Sequence, residues 1–100
     1  MPKETPRYSL YQQRARYNKF THPPVIVGQT RRLNGIFNVL YEHINMEGEH
    51  LRKKIAPKGY VSEGPYRQYF YVFTLTEDGR TYYKTYFYIR DRRGRFVEIV

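Results

Sequence analysis

Two runs near the C-terminus constrain this chain more than any other feature. Gln68-Tyr69-Phe70-Tyr71-Val72-Phe73-Thr74-Leu75-Thr76 and Thr81-Tyr82-Tyr83-Lys84-Thr85-Tyr86-Phe87-Tyr88-Ile89-Arg90 are built almost wholly from aromatic and β-branched residues, the types that suit a pleated, half-buried surface. Glu77-Asp78-Gly79-Arg80 stands between them, and Asp-Gly at that place is a hairpin signal. A third run, Arg95–Val100, follows Asp91-Arg92-Arg93-Gly94. The segment predicts a three-stranded antiparallel β-meander.

Two registers compete for the hairpin. A two-residue Asp78-Gly79 turn pairs Phe70 with Phe87, Tyr71 with Tyr86 and Phe73 with Lys84. A three-residue loop, Glu77-Asp78-Gly79 with a bulge at the glycine, pairs Tyr69 with Phe87, Val72 with Lys84 and Phe73 with Tyr83. The second is preferred because it segregates the most apolar set. Tyr69, Tyr71, Phe73, Leu75, Tyr83, Phe87 and Ile89 then share one face, and Phe70, Val72, Tyr82, Lys84, Tyr86 and Tyr88 the other. A slip of one residue would invert the faces of the second strand.

Upstream, Leu33, Ile36, Phe37, Leu40 and Ile44 recur at the i, i+3, i+4, i+7, i+11 spacing of one buried helical stripe. Thr30 stands where an N-cap belongs. Leu51 and Ile55 continue the stripe, with Gly48 on the same side. The segment reads as one helix to about residue 55 or, by preference, as a break at Gly48 and a second short helix from Glu49, because glycine is the usual residue just past a helix end. Pro57 and Gly59 stop any helix, and residues 56–66 read as a connection. The expected fold is α+β: one main amphipathic helix, with or without a second short one, packed on the C-terminal meander. One helix covers one face of a sheet, so the tyrosine-bearing face remains open.

Residues 1–24 read as a basic, aromatic N-terminal arm, and residues 25–100 as a single small α+β domain. Tyr8–Phe20 mixes aromatics with Arg14, Arg16 and Lys19 without a clear period, and prolines at 2, 6, 23 and 24 punctuate both ends. A short helix over about residues 9–18 is one form such an arm could take. Val25-Ile26-Val27-Gly28 reads as a brief strand or anchoring segment.

Composition enters where partners are concerned. Eighteen Lys and Arg against nine Asp and Glu leave a net charge of +9. Such an excess attracts polyanions. Twelve of the eighteen are arginine, the residue suited to forked phosphate contacts and ring stacking. Aromatics interleaved with cations on an open sheet face are how several modules hold unpaired bases. On that reading Tyr82, Tyr86 and Tyr88 stack, Lys84 neutralises, and Arg90, Arg92, Arg93 and Arg95 clamp phosphates from the turn before the last strand. Arg14, Arg16 and Lys19 add backbone contacts from the arm. The plain structural alternative gives the tyrosines to cross-strand pairing and the arginines to a solvated turn that discourages edge pairing.

Enzymatic signatures are missing. There is no phosphate-binding glycine loop, nucleophile elbow or His-Glu-x-x-His. His43, Glu47 and His50 fall at i, i+4, i+7, but the two histidines would stand about 10 Å apart along a helix, far for one ion, so local ion pairing is the better account. No catalytic residue, metal or cofactor is expected. The leading expectation is a non-enzymatic nucleic-acid-binding module, with RNA favoured slightly over DNA. A small subunit of a larger assembly, acting through protein–protein contacts, is the second reading, and a small basic ribonuclease the third. The absence of cysteine fits a reducing intracellular compartment. No apolar run approaches membrane-spanning length, so no membrane insertion is expected.

Overall fold

The computed structural model describes residues 6–17, 19–54, 60–66, 69–77 and 80–99, of which the backbone alone is described at 51–54, 60–66, 73, 75–77 and 80–82. The elements are β1 (Tyr8–Arg16), β2 (Lys19–Phe20), β3 (Val25–Thr30), α1 (Leu33–Lys54), β4 (Tyr60–Tyr66), β5 (Phe70–Glu77), β6 (Arg80–Asp91) and β7 (Phe96–Val97). The strands form one antiparallel sheet ordered β2-β1-β6-β5-β4, with β3 also on β1 and β7 also on β6. One helix on an antiparallel sheet makes the fold α+β, as expected, but the sheet is much larger than a three-stranded meander.

The largest departure is the N-terminal segment. Where a basic, aromatic arm or short helix was expected, residues 8–16 form β1, an interior strand bonded to β6 from Tyr8↔Asp91 to Arg16↔Tyr83 and to β3 on its other side. The inward positions of β1 are Leu10, then Gln12 and Arg14. Leu10 is fully buried, but the two polar residues break the period-two signature, and their partner lies on the helix, remote in sequence. The expected connection at 56–66 departs similarly, since its residues 60–66 form β4 against β5.

The hairpin matches neither expected register over its aromatic body. Glu77 pairs with Arg80, as a two-residue turn requires, but the register shifts between Leu75 and Thr76, and beyond it Phe70 faces Tyr88, Tyr71 faces Phe87 and Val72 faces Tyr86. The turn residues Asp78 and Gly79 lie outside the described residues. The observed body differs from the preferred register by two residues, one full period of a strand, so the side chains within β5 and β6 share the expected faces, whereas Tyr69, expected on the core face, precedes β5 and lies against Phe96.

Helix α1 runs unbroken through Gly48, against the expected break there. Gly48 is buried, and an ion pair from the adjacent Glu47 to β1 offsets the roughly 1 kcal/mol that an interior helical glycine costs. Thr30 is not the N-cap. It ends β3, its Oγ1 donates to the Arg32 carbonyl (2.8 Å), and the first intrahelical bond runs from Ile36 N to Arg32 O.

The core lies between α1 and one sheet face. Ile36 and Leu40 meet Leu10, Phe87, Ile89 and Ile99, with Phe37, Ile44, Val27 and Tyr71 partly buried around them. Leu33, at the head of the predicted stripe, is 40% exposed. At Gly28 a Cβ would lie 2.5 Å from Val39 Cγ1, so the missing side chain is what lets β3 approach the helix. Among the described residues no helix is long and apolar enough to cross a membrane.

Candidate nucleic-acid interface

The sheet face opposite α1 carries the alternate residues of the same strands: Tyr11 and Gln13 of β1, Phe70 and Val72 of β5, and Lys84, Tyr86, Tyr88 and Arg90 of β6. Phe20 reaches this face because it pairs with Ala15, and Phe96 because it pairs with Arg90. Together Gln13, Phe20, Phe70, Val72, Lys84, Tyr86, Tyr88, Arg90 and Phe96 line a groove of about 390 Å³. Its rim is aromatic and exposed. Phe20 is 60% and Phe96 39% accessible, and Tyr69 lies against Phe96 with ring centroids 5.8 Å apart.

The groove has a built end and an open end. At the built end the Tyr88 ring stacks on Tyr11 (5.1 Å, 5° between planes) and meets Phe70 at 5.0 Å and Phe96 at 5.6 Å. The Arg90 guanidinium lies 4.5 Å from the Phe96 centroid, 5.7 Å from Tyr88 and 5.9 Å from Tyr11. Each contact is a cation–π attraction of about 0.5–2 kcal/mol, and together they hold the charge in one orientation. Enclosed in this way, Tyr88 is only 7% exposed. Its burial raises the phenol above the usual tyrosine value, against the opposing pull of Arg90. At the open end Tyr86 lies between Phe20 (5.6 Å) and Phe70 (6.5 Å), with Lys84 half-buried beside it.

Beyond the built end, the turn after β6 carries three of the expected arginines. Asp91 Oδ1 accepts from the backbone N–H groups of Arg93 and Arg95 (2.9 Å each), and Oδ2 accepts from Arg95 Nε (3.3 Å). Those bonds, with the Arg95 backbone contact foremost, hold the Asp91 carboxyl below its usual range. Gly94 closes the turn at φ +82°, a conformation L side chains rarely adopt.

The expected binding residues are thus divided. Lys84, Tyr86, Tyr88 and Arg90 share the groove, while Arg92, Arg93 and Arg95 occupy the adjoining turn. Tyr88 is walled in by its neighbours and offers no face to a base. The Tyr82 side chain, like those of Arg52, Lys53 and Lys54, lies outside the described residues, as does Lys58. Arg14, Arg16 and Lys19 fall on the helix side of the sheet, since Arg14 and Arg16 alternate with the groove residues of β1 and Lys19 pairs with Arg16. Arg14 is engaged there: its Nη2 donates to Glu47 Oε1 (3.0 Å) and its Nε to Oε2 (3.2 Å). Desolvation alone would lower the Arg14 pKa, but the Glu47 hydrogen bond and charge outweigh it and raise it. Glu47 is therefore committed to Arg14, and among the described residues no group of three His, Cys, Asp or Glu side chains is placed to hold a metal ion.

Sequence reasoning missed Phe20, Phe96, Tyr11 and Gln13 as groove residues, and placed Phe70 on the open face without giving it a binding role. Phe20 and Phe96 belong to two-residue strands, too short to show a period, and their one local signal is a preceding cation, Lys19 and Arg95. No family model, no curated protein and no solved structure matches this chain.

Proposed function

We propose that the protein is a non-enzymatic nucleic-acid-binding module that takes unpaired strands, RNA in preference to DNA, along the sheet face opposite α1. The observation that carries this reading is the exposed aromatic groove bounded by cations: Phe20, Phe96 and Tyr69 on its rim, Lys84 and Arg90 in its lining, and the arginine turn beyond it. Aromatic platforms stack bases of any sequence, at about 1–3 kcal/mol per base, and flanking cations take the phosphates. Duplex bases are already stacked on one another, so the groove favours single strands.

The test is a titration of the purified protein against fluorescent single-stranded RNA, duplex RNA and duplex DNA at two salt concentrations. Four phosphate contacts, from Lys84, Arg90, Arg92 and Arg93, give a log–log salt slope of about −2.8 or steeper on single strands, which is a roughly fifty-fold or greater loss of affinity from 50 to 200 mM. The RNA should be recovered intact. Negligible binding at low salt would remove the reading, and recovery of cleaved RNA would turn it toward a ribonuclease.

A second reading, an assembly subunit, draws support from β3. Its only strand partner among the described residues is β1, and it exposes Val25 (53%) and Ile26 (47%) on an edge of the kind that receives an added strand. If this reading holds, Val25→Lys abolishes partner capture and leaves RNA binding unchanged.

A further inference from the structure

The start of β1 and the turn between β6 and β7 meet at one end of the sheet. Tyr8 pairs with Asp91, and the Arg7 N–H is fixed to the Thr30 carbonyl (3.0 Å), so Arg7 stands beside the turn although 84 positions separate it from Asp91. Arg7, Tyr8, Asp91, Arg92, Arg93 and Arg95 line a recess of about 210 Å³.

The charges in this recess are not equivalent. Asp91 is the single carboxylate in the lining, and Arg95 donates to it. Asp91 in turn accepts two backbone N–H groups, so its negative charge is held inside the turn. Among the described residues no carboxylate pairs with Arg7, Arg92 or Arg93. Four guanidinium groups and one carboxylate therefore line the recess, and among the described residues that carboxylate is ion-paired to Arg95 and not to Arg7, Arg92 or Arg93, on a backbone that the Asp91 bonds and Gly94 hold in shape. Like charges so gathered repel one another unless an anion lies between them, and the planar, forked guanidinium matches phosphate oxygens.

We propose that Arg7, Arg92 and Arg93 form a phosphate-holding pocket from which Arg95 is excluded by its bond to Asp91. The proposal deepens the nucleic-acid reading and rests on it for the identity of the ligand. A strand lying along the groove past Phe96 and Arg90 delivers its next phosphate to this recess. Arg7, which no local motif marks, becomes a binding residue, and Arg95 becomes a residue that positions the turn.

The experiment measures the salt slope for a fluorescent single-stranded RNA with wild type and with Arg7→Ala, Arg92→Ala, Arg93→Ala, Arg95→Ala and Asp91→Asn. Each of the first three should flatten the slope by about 0.7, while Arg95→Ala leaves it unchanged. Asp91→Asn keeps the Oδ1 acceptor but releases Arg95, and should steepen the slope by a similar amount. Comparing the RNA with and without a 5′-phosphate decides between a terminal phosphate and an internal phosphodiester, and binding through either upholds the pocket. Wild-type slopes for Arg7→Ala, or a loss for Arg95→Ala instead, would overturn the pocket while leaving the nucleic-acid reading intact. If the wild type binds no RNA, that reading falls, and inorganic pyrophosphate then decides the pocket. Amide NMR shifts at Arg7, Arg92 and Arg93 that Arg7→Ala abolishes sustain it; their absence refutes it.

Discussion

Arg14→Met removes one half of the ion pair that joins β1 to the C-terminal part of α1, while keeping most of the aliphatic stem that packs there. The Glu47 side chain is 2% exposed and that of Arg14 34%. Two parallel N–H···O bonds of 3.0 and 3.2 Å connect them. The Gln12 amide sits against the same pair, and with its oxygen assigned to the side facing the guanidinium it accepts from Arg14 Nη2 (3.1 Å) and Nε (3.3 Å). Breaking a fully buried pair costs roughly 3–5 kcal/mol because the remaining charge is stranded. Water reaches one side of this guanidinium and screens it, which reduces the expected loss to about 2–3 kcal/mol. For a domain of this size that lowers Tm by roughly 10–20 °C. Urea unfolding followed by circular dichroism should show the loss as a lower midpoint at unchanged m. The double variant Arg14→Met/Glu47→Leu strands neither charge and should recover at least about 1 kcal/mol relative to the sum of the single variants. A loss under about 1 kcal/mol for Arg14→Met, or strict additivity, would refute the claim that this pair anchors the helix. The same variant, assayed where it is folded, should keep the wild-type salt slope on RNA, because Arg14 lies on the helix side of the sheet. A flattened slope would restore it to the phosphate contacts.

Other expectations follow from particular contacts. Gly28→Ala drives a methyl group toward Val39 Cγ1 and should destabilise by about 1–3 kcal/mol; adding Val39→Ala relieves the clash, and equal losses with and without it would show that the close approach is not the cause. Phe20→Ala removes an exposed ring, and should weaken single-stranded RNA binding by about 1–3 kcal/mol with little change in unfolding midpoint; unaltered affinity would take Phe20 out of the platform. Tyr71, Tyr83 and Tyr88 all have phenol pKa values raised chiefly by desolvation. The native state therefore holds these protons more tightly than the unfolded chain, and the resulting stability is present below the unfolded tyrosine pKa of about 10 and lost as pH rises through the folded values. In an alkaline absorbance titration, Tyr88→Phe should remove a step above the usual tyrosine range, and loss of a step at or below that range would contradict the assignment.

Much of the fold is legible in the residues themselves. The helical stripe Ile36, Phe37, Leu40 and Ile44 and the aromatic run of β6 state their periods locally, because each buries its own apolar face. The partition of β5 and β6 into a core face and an open face is also readable, since it depends only on parity and survives a two-residue error in register. Half of the candidate site, Lys84, Tyr86 and the arginine turn, is visible on the same ground. The other half is not. β1 reads as an arm because its inward Gln12 and Arg14 are polar, and the Glu47 that makes them acceptable in the interior is 33 residues from Arg14.

The sequence by itself determined the secondary elements that carry their own periodicity, the net charge, and the alternation that leaves one sheet face without a helix. Only the tertiary structure decided that β1 completes the sheet, that Phe20 and Phe96 close an aromatic groove around Tyr86 and Arg90, that Tyr88 is walled in, and that Arg7 joins Arg92 and Arg93 while Arg95 turns to Asp91. The physical reason is range. Periodicity is set by neighbours a few residues apart, whereas stacking, burial and charge pairing are set by groups that meet only once distant strands are hydrogen-bonded into one sheet.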